Sequence, residues 1–450
     1  MKIKHLHLQN FCRFEDQTIT FGDDGRQLHP AVVFIGENGS GKTSVLQALA
    51  LALSWFVARV MREKGNGSPI SEHEIHNEKT FAAITLQLEH ASTVFTWKLA
   101  RTRRGRKKTV ESDLAGATRL AAIFRQLLEE NDDTGLPLVA YYPVERVVLD
   151  IPLKIRTRHS FGQIDGYDNS LRQGIDFRRF FEWFREREDA ENEAGLGEEA
   201  LQQLAAILKQ QTLPGDIWKK LEELKASPRD RQLTAVRTAI SSFMPGFSNL
   251  RIKRRPRLRM EIDKNDDTLN VAQLSQGEKS LMALVGDLAR RLAIMNPTLE
   301  NPLQGEGIIL IDEVDLHLHP RWARSIINNL ARTFPNCQFV LTTHSPLVIS
   351  DTRDMLGYIL SQEGLRPLGN LYGMDANQVL LQEMGAEIRN HEIQERLDTL
   401  FAAIQDNEIE TAHGLLLKLE SELPADHLEI NKARLLLRRV EARRAQDKQG

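Results

Sequence analysis

The sequence predicts an α/β chain with a largely parallel, helix-covered sheet, an N-terminal antiparallel β subdomain, a helical insertion and a C-terminal helical appendage. Three observations carry this. From Ala31, AVVFIGENGSGKTSVLQALALAL reads as a buried strand, a glycine-rich turn and a long apolar helix. Two further apolar runs, GIILIDE and CQFVLTTHS, each end in polar residues and have helical sequence between them. After about Gly373 the chain turns to helix formers without long apolar strands. Alternating α and β segments need crossover connections, which cover both faces of a parallel sheet and leave its strands almost continuously apolar.

The elements follow in chain order. Leu6 and Leu8 alternate with His5, His7 and Gln9 as the two faces of a first strand. Residues 81–101 hold two alternating runs split at His90, Ala91 and Ser92, the pattern of a hairpin. Residues 115–135 and 171–245 have helical spacing with many charges, and TGLPLVAYYPVERVV between them is a buried strand with its loop. From Leu250 to Ile262, alternation places Leu258, Met260 and Ile262 on one face of a half-exposed strand. Ile393, Leu397, Leu400, Phe401 and Ile404 form one helical stripe. Ile409, Ala412, Leu415, Leu416 and Leu419 form a second, beyond a break at Asp406 and Asn407. The charged tail from Arg438 to Gly450 is expected to fray. The expected divisions are residues 1–114, an N-terminal lobe with the glycine-rich loop; 115–249, the helical insertion with one core strand; 250–372, a C-terminal lobe; and 373–450, the helical region.

Composition limits the functions open to this chain. Its 450 residues are enough for more than one domain, and 41% hydrophobic residues supply a core. With 59 Lys and Arg against 62 Asp and Glu, the net charge is -3, so no general basic field attracts nucleic acid. The two cysteines, Cys12 and Cys337, make neither a disulfide framework nor a zinc set and fit a reducing, cytoplasmic setting. The opening MKIKHLHLQNFCRF lacks the order of a signal peptide. The most apolar stretch, Val45 to Val60, is interrupted by Gln47, Ser54 and Arg59 and reads as too short to cross a bilayer, so no membrane association is expected.

Three motifs carry chemistry. Gly36-Glu37-Asn38-Gly39-Ser40-Gly41-Lys42-Thr43 matches G-x-x-x-x-G-K-[ST] between a strand and a helix. Glycines there let backbone N–H groups converge on phosphate oxygens at a positive helix end. Lys42 is expected to bridge the terminal phosphates and Thr43 to ligate Mg²⁺ through its hydroxyl. The second motif is the apolar strand Ile308 to Ile311 ending in Asp312 and Glu313. At the carboxyl edge of an open sheet, Asp312 can hold hydrated Mg²⁺ while Glu313 orients or deprotonates the attacking water. The third is Gln273-Leu274-Ser275-Gln276-Gly277-Glu278, in which Ser275 and Glu278 have capping-box spacing and the helix start forms an anion site.

Together with Val314-Asp315 and His344, these motifs resemble the complete set of ABC-type ATPases, with Ser275 to Glu278 in the place of the LSxGE signature. The resemblance implies ATP and Mg²⁺ as cofactors and Lys42, Glu313 and His344 as the catalytic set. It implies nucleotide contacts from Gly36 through Ser44, with Thr43 and Asp312 as metal ligands. It also implies a homodimer of heads arranged head to tail, in which Ser275, Gln276, Gly277 and Glu278 meet the γ-phosphate held by the partner subunit. His344 resembles the switch histidine, Asp315 the aspartate that communicates across the dimer, and His317 and His319 fit the LHP segment better than a metal site. Arg13 in NFCRF resembles the N-terminal arginine of SMC-like and RecF-like ATPases that reaches the nucleotide. A glutamine-loop residue has no match: Gln87 lies in a strand, and Tyr141 to Arg146 occupies a strand end that could serve instead.

The opening NFCRFEDQTITF resembles the SMC, RecF and overcoming-lysogenisation-defect branch. No heptad arms lie between loop and signature, and no Toprim domain follows. Leu371-Tyr372-Gly373-Met374-Asp375 and the helical C-terminus resemble short Septu-type (PtuA) defence ATPases, also found with retrons. That implies an ATP-hydrolysing subunit controlling a separate HNH nuclease (PtuB-like) docked on the C-terminal helices, within a higher oligomer. The alternative is a RecF-like or SMC-like DNA-binding repair ATPase. Two basic runs could hold nucleic-acid phosphates without sequence preference: Arg101, Arg103, Arg104, Arg106, Lys107 and Lys108, and Arg251, Lys253, Arg254, Arg255, Arg257 and Arg259.

Overall fold

The computed structural model describes the chain apart from residues 24–26, 132, 145–160, 173–174, 176, 195–229, 363, 370, 384–389, 425 and 448–450. Residues 195–229 of the helical insertion, together with Glu145 and Arg146 of the candidate strand-end loop, lie outside the described residues.

The chain opens with the antiparallel strands β1 (Lys2–Phe11) and β2 (Phe14–Thr20), then the short pair β3 (Gly22–Asp23) and β4 (Gln27–Leu28). Strand β1 also pairs with β6 (Phe81–His90), and β6 with β7 (Thr93–Thr102), completing a sheet of order β2-β1-β6-β7. Ala91 and Ser92 turn this hairpin with φ of 47° and 62°, the left-handed pair that matches strand twist.

The second sheet contains β5 (Ala31–Gly36), β8 (Leu138–Tyr142), β12 (Gly307–Ile311), β13 (Cys337–Thr343), β14 (Leu356–Ser361) and β15 (Gly364–Pro367), in the order β15-β14-β5-β13-β12-β8. All its pairs are parallel except the β15 edge. Every residue of β5, β8, β12 and β13 is buried, as apolar strands covered on both faces must be. The register sets Ile35 beside Thr343, Leu341 beside Ile311, and Ile311 beside Tyr142. Parallel alignment therefore brings the ends of four strands, at Gly36, Asp312, His344 and Tyr142, to one edge.

Helix α1 (Lys42–Met61) is core, with Val45, Leu46, Leu49, Leu53 and Phe56 among its buried residues. Its 20 residues are long and apolar enough to cross a bilayer, contrary to the expectation that Val45 to Val60 is too short; packing under the sheet accounts for its composition. Helix α2 (Ala115–Glu130) covers β7 and α1, while α3 (Phe177–Ala194) and α4 (Arg231–Phe243) are the described helices of the insertion. Helix α5 (Gln276–Met295) is buried at every position from Ser280 to Met295, and α6 (Pro320–Thr333) and the short α7 (Pro346–Ser350) flank β13.

Three regions differ from the sequence reading. The single strand expected over 250–262 is a hairpin of β9 (Phe247–Lys253) and β10 (Arg259–Lys264), extended by β11 (Asp267–Asn270). Pro256, which has no N–H to give a ladder, sits in the connection. Two strands that the sequence reading did not name, β14 and β15, follow His344. Finally, the C-terminal region has a third helix in place of a fraying tail. After α8 (Ala376–Gln382), helices α9 (His391–Gln405), α10 (Ile409–Glu422) and α11 (Leu428–Asp447) share a core of Leu397, Leu400, Ile404, Leu416, Leu419, Ile430 and Leu437. Leu437 anchors the tail that charge alone would leave in solvent. The chain forms two compact units, Met1–Met374 and Asp375–Gly450.

Candidate nucleotide site

The loop after β5 owes its shape to three glycines, Gly36, Gly39 and Gly41, with φ of 152°, 77° and 100°. At Gly36 a Cβ would stand 2.1 Å from the Leu360 carbonyl oxygen, and at Gly41 2.7 Å from Arg13 Cδ. Neither admits a side chain. Lys42 is only 5% exposed, and its Nζ donates to the Gly36 and Glu37 carbonyls, each at 2.8 Å. Burial lowers the Lys42 pKa, and the charges of Asp312 and Glu313 oppose that fall. Glu37, Asn38, Gly39 and Thr43 are exposed, Ser44 is half-buried, and Ser40 is buried with no partner for its hydroxyl among the described residues. Arg13 donates to the Gly39 and Ser361 carbonyls, both at 3.1 Å, so in this structure it braces the loop through the backbone.

The acidic pair sits across the same edge. Asp312, 1% exposed, receives the Thr342 hydroxyl on Oδ1, whereas its buried Oδ2 has no hydrogen-bond partner among the described residues. Its own N–H donates to the Tyr142 carbonyl at 2.9 Å. Glu313 holds φ at 45°, a left-handed conformation that costs about 1 kcal/mol or more in a residue with a Cβ. Its N–H donates to Thr342 Oγ1 at 2.7 Å, and the next N–H, of Val314, to the Thr342 carbonyl at 2.9 Å. His344 Nε2 lies 3.9 Å from Glu313 Oε1. Burial first, then the Lys42 charge, lowers the His344 pKa, so the imidazole is neutral at pH 7. The Thr343 hydroxyl donates to Asp315, which fixes the turn before His317.

These donors suit a hard cation. An orphaned, buried carboxylate oxygen on Asp312 and an exposed hydroxyl on Thr43 are oxygen ligands of the kind Mg²⁺ takes alongside water. No group of three or more His, Cys, Asp or Glu side chains able to hold a metal occurs among the described residues. His319 caps α6, its Nδ1 accepting from Arg321 N–H at 3.2 Å.

The third motif is a built helix start. Ser275 Oγ accepts from Glu278 N–H at 3.3 Å, and Ser275 N–H donates back to Glu278 Oε2 at 2.8 Å. Burial would raise the Glu278 pKa, but hydrogen bonds from Lys264 (2.7 Å) and Ser275 outweigh it and lower the carboxyl below its ordinary value. A Cβ on Gly277 would meet the His317 carbonyl oxygen at 2.3 Å, so the signature is pressed against its own LHP segment. Ser275 and Gln276 are exposed at the tip.

Some parts escaped sequence reasoning. Asp287, fully buried in α5, takes Arg290 on Oδ1 (2.7 Å) and both Arg291 (2.8 Å) and the Tyr142 hydroxyl (3.0 Å) on Oδ2. Arg291 also donates to the Gly166 and Asp168 carbonyls at 2.7 and 3.0 Å. The available signal was three charges at i, i+3 and i+4 inside an apolar helix. Thr342, which joins Asp312 to Glu313, had no signal beyond being polar in a buried strand.

The basic runs divide. Arg251 pairs with Asp263 (2.9 Å), Arg259 with Glu261 (2.6 Å), Lys253 with Glu261 (3.9 Å), and Arg254 with Asp189 and Glu188. Four of the six charges in that run are thus paired within the chain, and Glu261, on the strand face opposite Met260 and Ile262, is buried among them. The run beyond β7 is exposed from Arg104 to Lys108. Gln87 lies in β6, within the antiparallel sheet.

Comparison with known proteins agrees with this geometry. Residues 31–350 match the family described as "AAA domain, putative AbiEii toxin, Type IV TA system". The chain is 34% identical over 380 residues to the "Retron Ec83 probable ATPase" of Escherichia coli, covering 77% of this chain and 69% of the relative. It is 31% identical over 408 residues to the "Retron Vc95 probable ATPase" of Vibrio cholerae, covering 84% and 78%. A shorter match, 45% over 74 residues, covers 16% of this chain and 10% of the "Septu protein PtuA" of Bacillus mycoides. The chain therefore belongs to this AAA-domain family and is an ATPase whose relatives include the retron probable ATPases and, over a short stretch, the Septu protein PtuA.

Proposed function

We propose that this chain hydrolyses ATP at composite sites formed by two heads, as the ATP-driven subunit of an anti-phage defence complex that controls a separate HNH-type nuclease. The observation that carries the reading is the meeting, at one sheet edge, of the glycine loop, the buried Asp312 with an open oxygen, Glu313 and His344. The N–H groups of residues 36–44 would cradle the phosphates, and Lys42 would exchange its carbonyl contacts for the terminal phosphates. Thr43 and Asp312 would hold Mg²⁺, which when bound supplies positive charge against the phosphate oxygens. Glu313 would take the proton of the attacking water, while the neutral His344 beside it would orient that water and the γ-phosphate. The exposed Ser275 and Gln276, at a capped helix N-terminus, would complete the partner's site.

Replacing Glu313 with Gln keeps the shape and removes the base. ATP binding should stay within about twofold of wild type while turnover falls roughly 100-fold or more. Unchanged turnover would reject the assignment.

The partners are read from two exposed regions. The helical unit 375–450 is the docking site for the nuclease, and the basic loop Arg103 to Lys108 makes salt-sensitive contact with nucleic-acid phosphates. One experiment serves both, purification of the native complex from cells. Removing residues 375–450 should lose the nuclease, and reversing Arg103, Arg106 and Lys107 to Glu should lose the nucleic acid. Retention of both components would refute both assignments.

A further inference from the structure

We propose that Thr342 is the positioning residue that sets metal affinity, by holding both residues of the acidic pair through one hydroxyl, Asp312 at its carboxylate and Glu313 at its backbone N–H. The inference rests on the ATP-hydrolysing function proposed for the chain and concerns a residue that lies outside all three motifs.

The geometry fixes the hydroxyl completely. Thr342 is fully buried near the end of β13, beside the strand that ends in Asp312. Its Oγ1 donates to Asp312 Oδ1 and accepts the Glu313 N–H at 2.7 Å. An N–H can only donate, and a carboxylate can only accept, so the single hydroxyl proton has one place to go. That chain of donors has two consequences. Asp312 is turned so that Oδ1 is occupied and Oδ2 has no partner among the described residues, which presents one oxygen to a cation and not two. Glu313 is kept in its left-handed conformation, where φ is 45°, by the bond to its N–H and by the Val314 N–H bond to the Thr342 carbonyl. The next residue acts in the same way, since Thr343 Oγ1 donates to Asp315 and accepts the Ser345 N–H at 2.9 Å. Adjacent threonines on β13, whose side chains point to opposite faces of the sheet, thus tie two different carboxylates of the 312–315 turn.

Valine matches threonine in shape and lacks the hydroxyl, while serine keeps it. The test measures nucleotide affinity in Mg²⁺ and in EDTA, together with the Mg²⁺ dependence of turnover. For Thr342→Val, affinity in EDTA should match wild type within about twofold, because no phosphate contact is altered. The gain in affinity from Mg²⁺ should shrink roughly tenfold, the Mg²⁺ concentration for half-maximal turnover should rise by a similar factor, and kcat should fall more than KM changes. Thr342→Ser should restore all three. If the valine variant does not fold, Thr342→Cys, with a group of similar size and a weak donor, should show the same raised Mg²⁺ requirement. A wild-type Mg²⁺ response in a folded valine or cysteine variant overturns the proposal. Inactivity of the wild-type chain, or full activity of Lys42→Ala, would instead overturn the ATPase reading on which it rests.

Discussion

Two charged clusters lie inside the first unit, and they differ in what is left over. Around Asp287 both carboxylate oxygens are taken, by Arg290, Arg291 and Tyr142, and Arg290 Nε lacks a partner among the described residues. Around Asp312 one oxygen is taken by Thr342 and the other is open, while Lys42 rests on two backbone carbonyls. Tyr142 belongs to both, through its hydroxyl to Asp287 and its carbonyl to the Asp312 N–H. Burial of charge is common to the two clusters and so does not identify a site. Unspent valence does: a saturated cluster holds the fold, and an unsaturated one at a strand end waits for a ligand.

The contrast can be broken first at its saturated end. Asp287→Ala should destabilise the first unit by about 3–5 kcal/mol in urea unfolding, because it strands Arg290 and Arg291 in the core. A loss under about 1 kcal/mol would show that the cluster holds little. Acid sharpens the same point. Burial works to raise the Asp287 pKa, but Arg291 and Arg290 overcome it and bring the carboxyl from 3.8 to about 2. A depressed carboxyl contributes stability that is complete above pH 3.8 and lost as pH falls toward 2. The stability gap between wild type and Asp287→Ala should therefore narrow by about 2 kcal/mol between pH 5 and pH 2. The smallest effect is at the unsaturated end. Asp312→Asn removes a buried charge with an open oxygen and keeps an acceptor for Thr342, so the nucleotide-free chain should be unchanged or gain up to about 1 kcal/mol. A loss like that of Asp287→Ala would erase the distinction between the clusters.

The sequence shows the residues of the candidate edge well and their supports poorly, for a physical reason. The phosphate loop, Asp312, Glu313 and His344 stand at strand ends, where a polar residue breaks an apolar run and the register of a parallel sheet brings the breaks together. Ser275 and Glu278 are legible because capping is local. Thr342, Arg13 and the Asp287 cluster act across the fold: Arg13 reaches Ser361, 348 positions away, and no spacing rule spans that distance. The 251–259 run misled as a candidate phosphate-binding patch because a count of charges does not show that Glu188, Asp189 and Glu261 fold onto it. The tail from Arg438 misled in the opposite way, since the few apolar residues that dock α11 lie mostly ahead of it, at Ile430 and Leu437.

The most direct test of the mechanism asks whether ATP joins two heads through Ser275. Sedimentation of Glu313→Gln with Mg²⁺ and ATP should show the 51.2 kDa unit associating in pairs, and the same protein carrying Ser275→Arg should bind nucleotide without that pairing. Equal association in both, or none in either while nucleotide is bound, would contradict a nucleotide clasped between one head's loop and its neighbour's signature helix.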